Sequence, residues 1–407
     1  MKKKREVKLR HFIITRLAYP ILWFFFVRPY RIKIIKDERI KRLKGPYIVL
    51  ANHTINHDPI ILGFHFPKNL YYIATEQIFN LGFLSKLLVF AVNPIKKTKS
   101  VSDLGTIKMI KRVTNEGGSI GVYPEGNTTY TGETAQINIA IVKLIKMLKL
   151  PVVIINTKGL YLSFPRWSVY PKKGKTTSFV RSLYLPEEII DYSETELYEI
   201  IKNDLYVNAY QDQENDQDLY RGKKIAHGLE RLIFIDLLKN IPFVTYSENN
   251  KLKSTASDFE LTYQENGKVL TTDNQEKTLI EVDKEVKLAY FDFYKNYTSN
   301  KLYEENVVVT ETFSNKKIKL GEARCFLNKD SIVLYFKDRD INLYYNDINS
   351  MAIQGKKQII VYLNYQTYLI GLDDYASPYK YILTYQFYKY LQIGGVSIND
   401  KLSEFGI

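Results

Sequence analysis

Apolar and polar positions along this chain change rhythm so that strands and helices alternate over its first half. Tyr47-Ile-Val-Leu-Ala51 is a short apolar run behind Gly45-Pro46 and predicts a buried strand. Leu70-Tyr-Tyr-Ile-Ala74, Ser119-Ile-Gly-Val-Tyr123 and Pro151-Val-Val-Ile-Ile-Asn156 predict three more. Residues 82–90 read as an apolar helix. In 102–116, Leu104, Ile107, Ile110 and Val113 fall near one face, with Lys108, Lys111 and Arg112 on others. That predicts a helix, stopped by Glu116-Gly117-Gly118. Another helix is expected over 135–148. Such alternation implies an α/β layer whose ligands gather near strand ends.

Beyond it, 194–210 predicts a helix, and the polar, acidic stretch 211–218 reads as a linker. Asp236, Lys239, Ser254 and Ser257 have the spacing of a zinc ribbon's two knuckles, and Lys251–Ser254 and Asp258–Tyr263 read like its strands. None of the four positions is a thiolate, so no zinc is expected, and an ordinary hairpin fits equally well. From Lys319 onward come β-rich segments at 331–336, 341–345, 358–363 and 366–371, then a helix-like stretch from Pro378 to Leu391. Short strands closed by one helix suggest an α+β module resembling a pleckstrin-homology-like barrel. The expected parts are an anchor at 1–45, a main domain at 46–230, a hairpin or linker at 231–270 and a β-rich module at 271–407.

Charge changes the reading of the N-terminus. The 407 residues carry a net charge of +14, and 1–45 hold fifteen Lys/Arg against Glu6, Asp37 and Glu38, a net of +12. Within that segment Leu17 to Val27 has no charge and contains Trp23-Phe24-Phe25-Phe26. A nucleic-acid arm has no use for four aromatics in a row, whereas a membrane surface takes aromatics at the headgroup boundary and Lys/Arg on anionic lipid. The uncharged run is about half of the ~20 residues that a crossing helix needs. Pro20 interrupts it, and no small-residue cleavage site follows. The segment is therefore expected to be a peripheral or monotopic anchor on the cytoplasmic face of the cell membrane, with a single span as the alternative. One cysteine, Cys325, excludes an intramolecular disulfide framework and fits a reducing compartment.

Two strand-end motifs could carry chemistry. His53 and Asp58 are five residues apart, roughly 500° around a helix, so they meet only if the chain turns between them. Given that turn, a carboxylate can hold one imidazole nitrogen and leave the other as a base. The competing reading makes Asp58-Pro59 a helix N-cap followed by Pro at the first helical position, and neighbouring His57 competes for the role of base. Tyr123-Pro-Glu-Gly-Asn-Thr-Thr129, about seventy residues on, ends another strand with a glutamate and a glycine. An ordinary Pro/Gly turn would look the same.

Asn52-His53-x4-Asp58 followed by Tyr123-Pro124-Glu125-Gly126 resembles the glycerolipid acyltransferase family typified by bacterial 1-acylglycerol-3-phosphate acyltransferase, the PlsC family. Asn93-Pro-Ile-Lys-Lys97 and Pro151-Val-Val-Ile-Ile155 stand where that family has further blocks, so the likeness covers about 10–230. The resemblance implies an α/β acyltransferase domain with a mixed sheet flanked by helices. It implies His53 as general base, Asp58 as its orienting carboxylate, and Lys97, Glu125, Gly126, Asn127, Thr128 and Thr129 at the acceptor. It also implies an enzyme of phospholipid biosynthesis that moves an acyl group from acyl-CoA or acyl carrier protein to a lysophospholipid hydroxyl, without metal or other cofactor. The family usually follows Glu-Gly with Thr-Arg-Ser. Here Asn127-Thr-Thr129 removes the arginine fork, and Lys97, assisted by Lys96 or Lys99, replaces a second arginine. An inactive lipid-binding adaptor and an acyltransferase for a non-phosphate alcohol are the alternatives. Hydrolysis ranks behind them because no nucleophilic serine elbow is present. A nucleic-acid partner is not expected, since the charge is confined to the apolar anchor.

Overall fold

The computed structural model describes residues 5–75, 78–79, 83–97, 104–313 and 316–406. It divides into two compact units, residues 1–165 with 173–220 and residues 166–172 with 221–407.

The first unit opens with helix α1 (Leu9–Leu22), continued by a π turn over Trp23–Val27 and a short 3-10 turn. Strand β1 (Ile32–Ile35), helix α2 (Glu38–Arg42), strand β2 (Ile48–Ala51) and helix α3 (Asp58–Gly63) follow. Next come β3 (Leu70–Thr75), α4 (Phe83–Val92), β4 (Ile95–Lys97), α5 (Leu104–Asn115) and β5 (Ser119–Val122). The unit closes with α6 (Ala140–Leu148), β6 (Val152–Lys158), α7 (Leu160–Ser163), β7 (Thr176–Tyr184), α8 (Pro186–Ile189), α9 (Glu194–Leu205) and α10 (Ala209–Asp216). Seven strands form one sheet in the order β1-β7-β6-β2-β5-β3-β4. Only β6–β7 is antiparallel, so the sheet is mixed.

The apolar runs are continuous because these strands are buried on both faces. Ile48, Leu50, Ile120, Val152 and Ile154 pack against Ile110 and Val113 of α5, Val142 and Ile145 of α6, and Leu197 and Ile201 of α9. The intervening Val49, Ala51, Val153 and Ile155 face Tyr47, Leu62, Phe66 and Leu70 on the other side. Each such side chain removed from water contributes about 1.5–3 kcal/mol, so the central strands β2 and β6 are costly to disturb.

Three sequence expectations change. The helix expected over 135–148 starts only at Ala140, because Ala135 N–H goes to Glu125 Oε2 and Asn138 Oδ1 takes the Ala140 N–H. The helix over 194–210 is broken at 206–208, where Asn208 Oδ1 accepts from Tyr210 and Gln211 N–H and starts a new helix. That new helix, α10, covers much of the stretch read as an acidic linker, and Lys158 at 2.5 Å from Asp212 offsets one of its carboxylates. The helices expected over 82–90 and 102–116 are described over Phe83–Val92 and Leu104–Asn115. Gly82, 102, 103 and Lys99 lie outside the described residues.

The second unit begins with the pair β8 (Ile235–Asp236) and β9 (Ile241–Pro242). A five-stranded antiparallel sheet follows, from β10 (Thr245–Glu248) through β11 (Lys251–Ser254), β12 (Glu260–Tyr263) and β13 (Val269–Thr271) to β14 (Glu276–Lys277). At the ribbon-like positions Ser257 donates to Asp236 Oδ2 at 2.5 Å, and Asp236 Oδ1 accepts the Leu238 and Lys239 N–H groups. Hydrogen bonds tie the two turns there. Helix α11 (Leu279–Asn296) leads into a long hairpin, β15 (Lys301–Phe313) and β16 (Lys316–Asn328). The strands β17 (Ser331–Tyr335), β18 (Asp340–Tyr344), β19 (Ser350–Gln354), β20 (Gln358–Tyr362) and β21 (Gln366–Gly371) and helix α12 (Tyr379–Gln392) complete it. The sheet order is β18-β17-β16-β15-β21-β20-β19, antiparallel throughout. The segments expected from 331 onward are present. The β15–β16 hairpin, whose strands carry many Lys and Glu, was not legible as strand, because one of its faces is largely exposed.

Candidate active site

Register creates the site. β2 lies between β6 and β5, and Leu50 pairs with Val122. The loops leaving the C-terminal ends of β2 and β5 therefore emerge side by side, and His53 meets Tyr123 and Glu125 across some seventy residues of sequence. This is where parallel α/β sheets present ligands.

Between His53 and Asp58 the chain makes the turn that the pair requires. His57 is the N-cap of α3, Asp58 its first residue and Pro59 its second, so the cap reading is displaced by one position. The Asp58 carboxylate turns back over the loop rather than capping the helix. Its Oδ2 accepts the Thr54 N–H at 2.5 Å, the Ile55 N–H at 3.0 Å and His53 Nδ1 at 2.9 Å. A carboxylate oxygen that receives two N–H groups can only accept from the ring, so the shared proton sits on Nδ1 and Nε2 carries a lone pair. The His53 side chain keeps 18% of its exposure against 6% for Asp58, so the base is reachable while its partner is shielded.

His57 points elsewhere. Its ring lies edge-on to Phe26 at 4.7 Å, and burial lowers its pKa. The structure thus brings His53, not His57, onto the carboxylate.

Residues 123–129 hold His53 from the other side. Tyr123 stacks on the imidazole with centroids 4.3 Å apart and planes at 26°. Glu125 Oε1 accepts the His53 N–H at 2.6 Å and Oε2 accepts the Ala135 N–H at 2.8 Å. The Thr129 N–H donates to the His53 carbonyl at 2.9 Å. Desolvation pushes the Glu125 carboxyl up to about 8, against the pull of its two backbone donors. Gly126 has φ +74°, a left-handed turn that favours glycine, and a Cβ there would meet open space.

The acceptor residues expected from sequence divide. Glu125 faces inward onto backbone amides. The Thr129 hydroxyl donates to the Glu133 carbonyl at 2.6 Å and accepts the Gly132 N–H at 3.1 Å, so it serves the loop itself. Thr128 is buried, Asn127 half-buried and Gly126 exposed. Lys97 is exposed at the C-terminal end of edge strand β4. It shares a sheet edge with His53, three strand positions away in the order β2-β5-β3-β4, or roughly 14 Å at strand spacing.

One loop residue that sequence reasoning left without a role is Asn52. Its Nδ2 donates to the Thr157 carbonyl at 3.1 Å and its Oδ1 accepts the Thr157 N–H at 2.8 Å, so its side chain copies a strand partner and pins the loop to β6. An asparagine ahead of the histidine at a strand end was the available signal.

Residues 31–158 match the family model described as Acyltransferase. Over that stretch the chain resembles the PlsC-like acyltransferases. The chain is 27% identical over 159 residues to the 1-acyl-sn-glycerol-3-phosphate acyltransferase of Borreliella burgdorferi, a match that takes in 37% of this chain. The chain spans 61% of that relative's length. Among solved structures it is similar to the 1-acyl-sn-glycerophosphate acyltransferase PlsC from Thermotoga maritima, at 16% identity and a TM-score of 0.40, over 50% of this chain and 81% of that one. The matched residues 31–158 contain His53, Asp58, Lys97, Glu125, Gly126, Asn127, Thr128 and Thr129.

Proposed function

We propose that this chain moves a fatty acyl group from an acyl thioester to the free hydroxyl of a lysophospholipid at a membrane surface, with 1-acylglycerol-3-phosphate as the first acceptor to test. The single observation behind this reading is the His53–Asp58 pair, 2.9 Å apart, with Asp58 held by two backbone donors and Nε2 left as a base. His53 Nε2 takes the hydroxyl proton. The alkoxide oxygen forms a bond to the thioester carbonyl carbon, the carbon–sulfur bond breaks, and the leaving thiolate takes the proton from the imidazolium. General-base assistance of this kind is worth about 10²–10⁴ in rate. Acyl-CoA or acyl carrier protein is the donor.

The N-terminal helix supports the membrane part of the proposal. Leu9–Tyr30 is long and apolar enough to cross a bilayer. Yet α1 is bound along its length to the domain through His11–Tyr71, Asn69–Thr15, Arg16–Phe66 and Tyr19–Gly63 contacts. Its other side exposes Leu9, Ile13, Leu17 and Ile21, one every fourth residue. A helix fixed sideways to a folded domain lies in one leaflet rather than crossing. We place that leaflet on the cytoplasmic side. For the second unit, the antiparallel meander closed by α12 supports a pleckstrin-homology-like reading.

A second reading rests on the loop after Glu125-Gly126. Thr129 is committed inside and no arginine is present, so an alcohol without a phosphate is the competing acceptor. Purified full-length protein with a labelled acyl donor and a panel of lysolipids, including uncharged monoacylglycerol, tests both. Transfer to lysophosphatidate that disappears in His53→Ala supports the first reading. Transfer confined to uncharged acceptors selects the second, and transfer to neither overturns both.

A further inference from the structure

We infer that Tyr123 is a positioning residue for the base: its ring, stacked on the His53 imidazole, sets the imidazole's tilt and supports its protonated form. The inference rests on the acyl-transfer reading, in which His53 carries a proton between the acceptor hydroxyl and the leaving thiolate.

Strand register brings the rings together. Tyr123 is the residue after β5 and His53 lies two residues past β2, on adjacent parallel strands. A single hydrogen bond from Nδ1 to Asp58 fixes one edge of the imidazole and leaves its tilt open. A flat ring at 4.3 Å and 26° closes that freedom. The face of a phenol ring carries negative potential, so it favours an imidazolium over a neutral imidazole. Asp58 acts on the edge of the ring and Tyr123 on its face, and both favour the proton-bearing state that the reaction passes through.

The hydroxyl has no part in this. Tyr123 Oη is buried without a hydrogen-bond partner among the described residues, and burial raises its pKa well above the ordinary value. The contribution therefore belongs to the ring. The titratable groups around this stack are Asp58 at the start of α3, Glu125 on the loop after β5, and Tyr72 on β3. Glu125 and Thr129, from the same loop, hold the His53 backbone, so the loop positions the base by main chain and ring together.

The test uses the full chain in vesicles, with Tyr123→Leu and Tyr123→Phe, read by steady-state kinetics and by NMR titration of the His53 ring. Tyr123→Leu is expected to lower kcat roughly ten-fold with both KM values within about two-fold, and to lower the His53 midpoint by roughly half a pH unit. Tyr123→Phe is expected to restore both. A role limited to packing would change the melting temperature and leave the midpoint in place, which overturns the inference. So does a Tyr123→Phe variant as impaired as Tyr123→Leu, since the hydroxyl would then be the active part. Should Tyr123→Leu fail to fold, Tyr123→Met keeps a large apolar side chain without the ring. If the wild type acylates no acceptor, the acyl-transfer reading fails by itself, and the His53 midpoint still decides the stack.

Discussion

At the scale of single residues, base and bystander are separated by which imidazole reaches a buried carboxylate. Asp58→Asn can still accept one hydrogen bond, but it no longer stabilises an imidazolium at Nδ1. The expected outcome is a fall in kcat of about 10²–10⁴ with little change in melting temperature, whereas His57→Ala should keep most activity. Turnover of both variants on one acceptor checks this, and the reverse order would reassign the base.

Glu125 makes a separate prediction. Burial pushes its carboxyl up to about 8 from an ordinary 4.5, so the protonated form is the one that folding favours. Stability from this group is complete below about pH 4.5 and is lost as pH rises toward 8. Glu125→Gln cannot ionise, so the melting temperature of the wild type minus that of the variant should shrink between pH 5 and pH 8. A difference flat in pH would place the carboxyl in a more solvated setting. Lys97, exposed at the sheet edge, is expected to act on the acceptor alone. Lys97→Ala should raise the acceptor KM more than it lowers kcat, and an unchanged acceptor KM removes it from the site.

Among the elements, α1 shows how a helix is read differently from its two sides. Its composition could pass for a span, but Leu9, Ile13, Leu17, Ile21 and, in the π turn, Phe25 form an exposed row, each between 46% and 74% exposed. Arg16, His11, Thr15 and Tyr19 turn to the domain, and Val27 enters a core with Ile55, Ile61 and Leu160. Removing residues 1–30 would therefore damage the first unit as well as the anchor. Single substitutions on the exposed row are the cleaner experiment. Leu17→Glu or Ile21→Glu should lower partitioning to anionic vesicles roughly ten-fold each, from the lost transfer of one large apolar side chain, with unchanged melting temperature. Vesicle co-sedimentation checks it, and full binding by the double variant would assign anchoring to another surface.

At the scale of the whole molecule, charge and chemistry occupy different places. The first 45 residues carry a net of +12 of the chain's +14, so the remaining residues are close to neutral. Vesicle binding by the full chain should accordingly weaken with salt, because screening shortens to about 3 Å near 1 M, and the remaining binding should come from the apolar row. Salt-independent binding would mean that the basic residues do not meet the lipid. The second unit contributes no comparable excess. Its core is rich in buried tyrosine, with Tyr345 and Tyr381 packed beside Cys325.

What the sequence determined by itself was local. Continuous apolar runs marked β2, β5 and β6 because strands buried on both faces need them, and the period of α5 was readable because a single face meets the core. The motif loops at 52–58 and 123–129 were legible because their residue types are unusual for plain turns. Much of the second unit was not: Leu279, Val282, Val286 and Tyr290 of α11 have a helical period, but β15 and β16 alternate with charges that resemble solvated loop. Tertiary structure decided the rest. The pairing of Leu50 with Val122 brought Tyr123 and Glu125 to His53, and no local pattern encodes which strands become neighbours. It turned Glu125 and Thr129 inward, delayed one helix to Ala140 behind Asn138, broke another ahead of Asn208, and laid α1 along the domain. Hydrophobic period is a property of a short segment, whereas the destination of a hydrogen bond or the partner of a strand depends on residues far along the chain, and the site consists of such destinations.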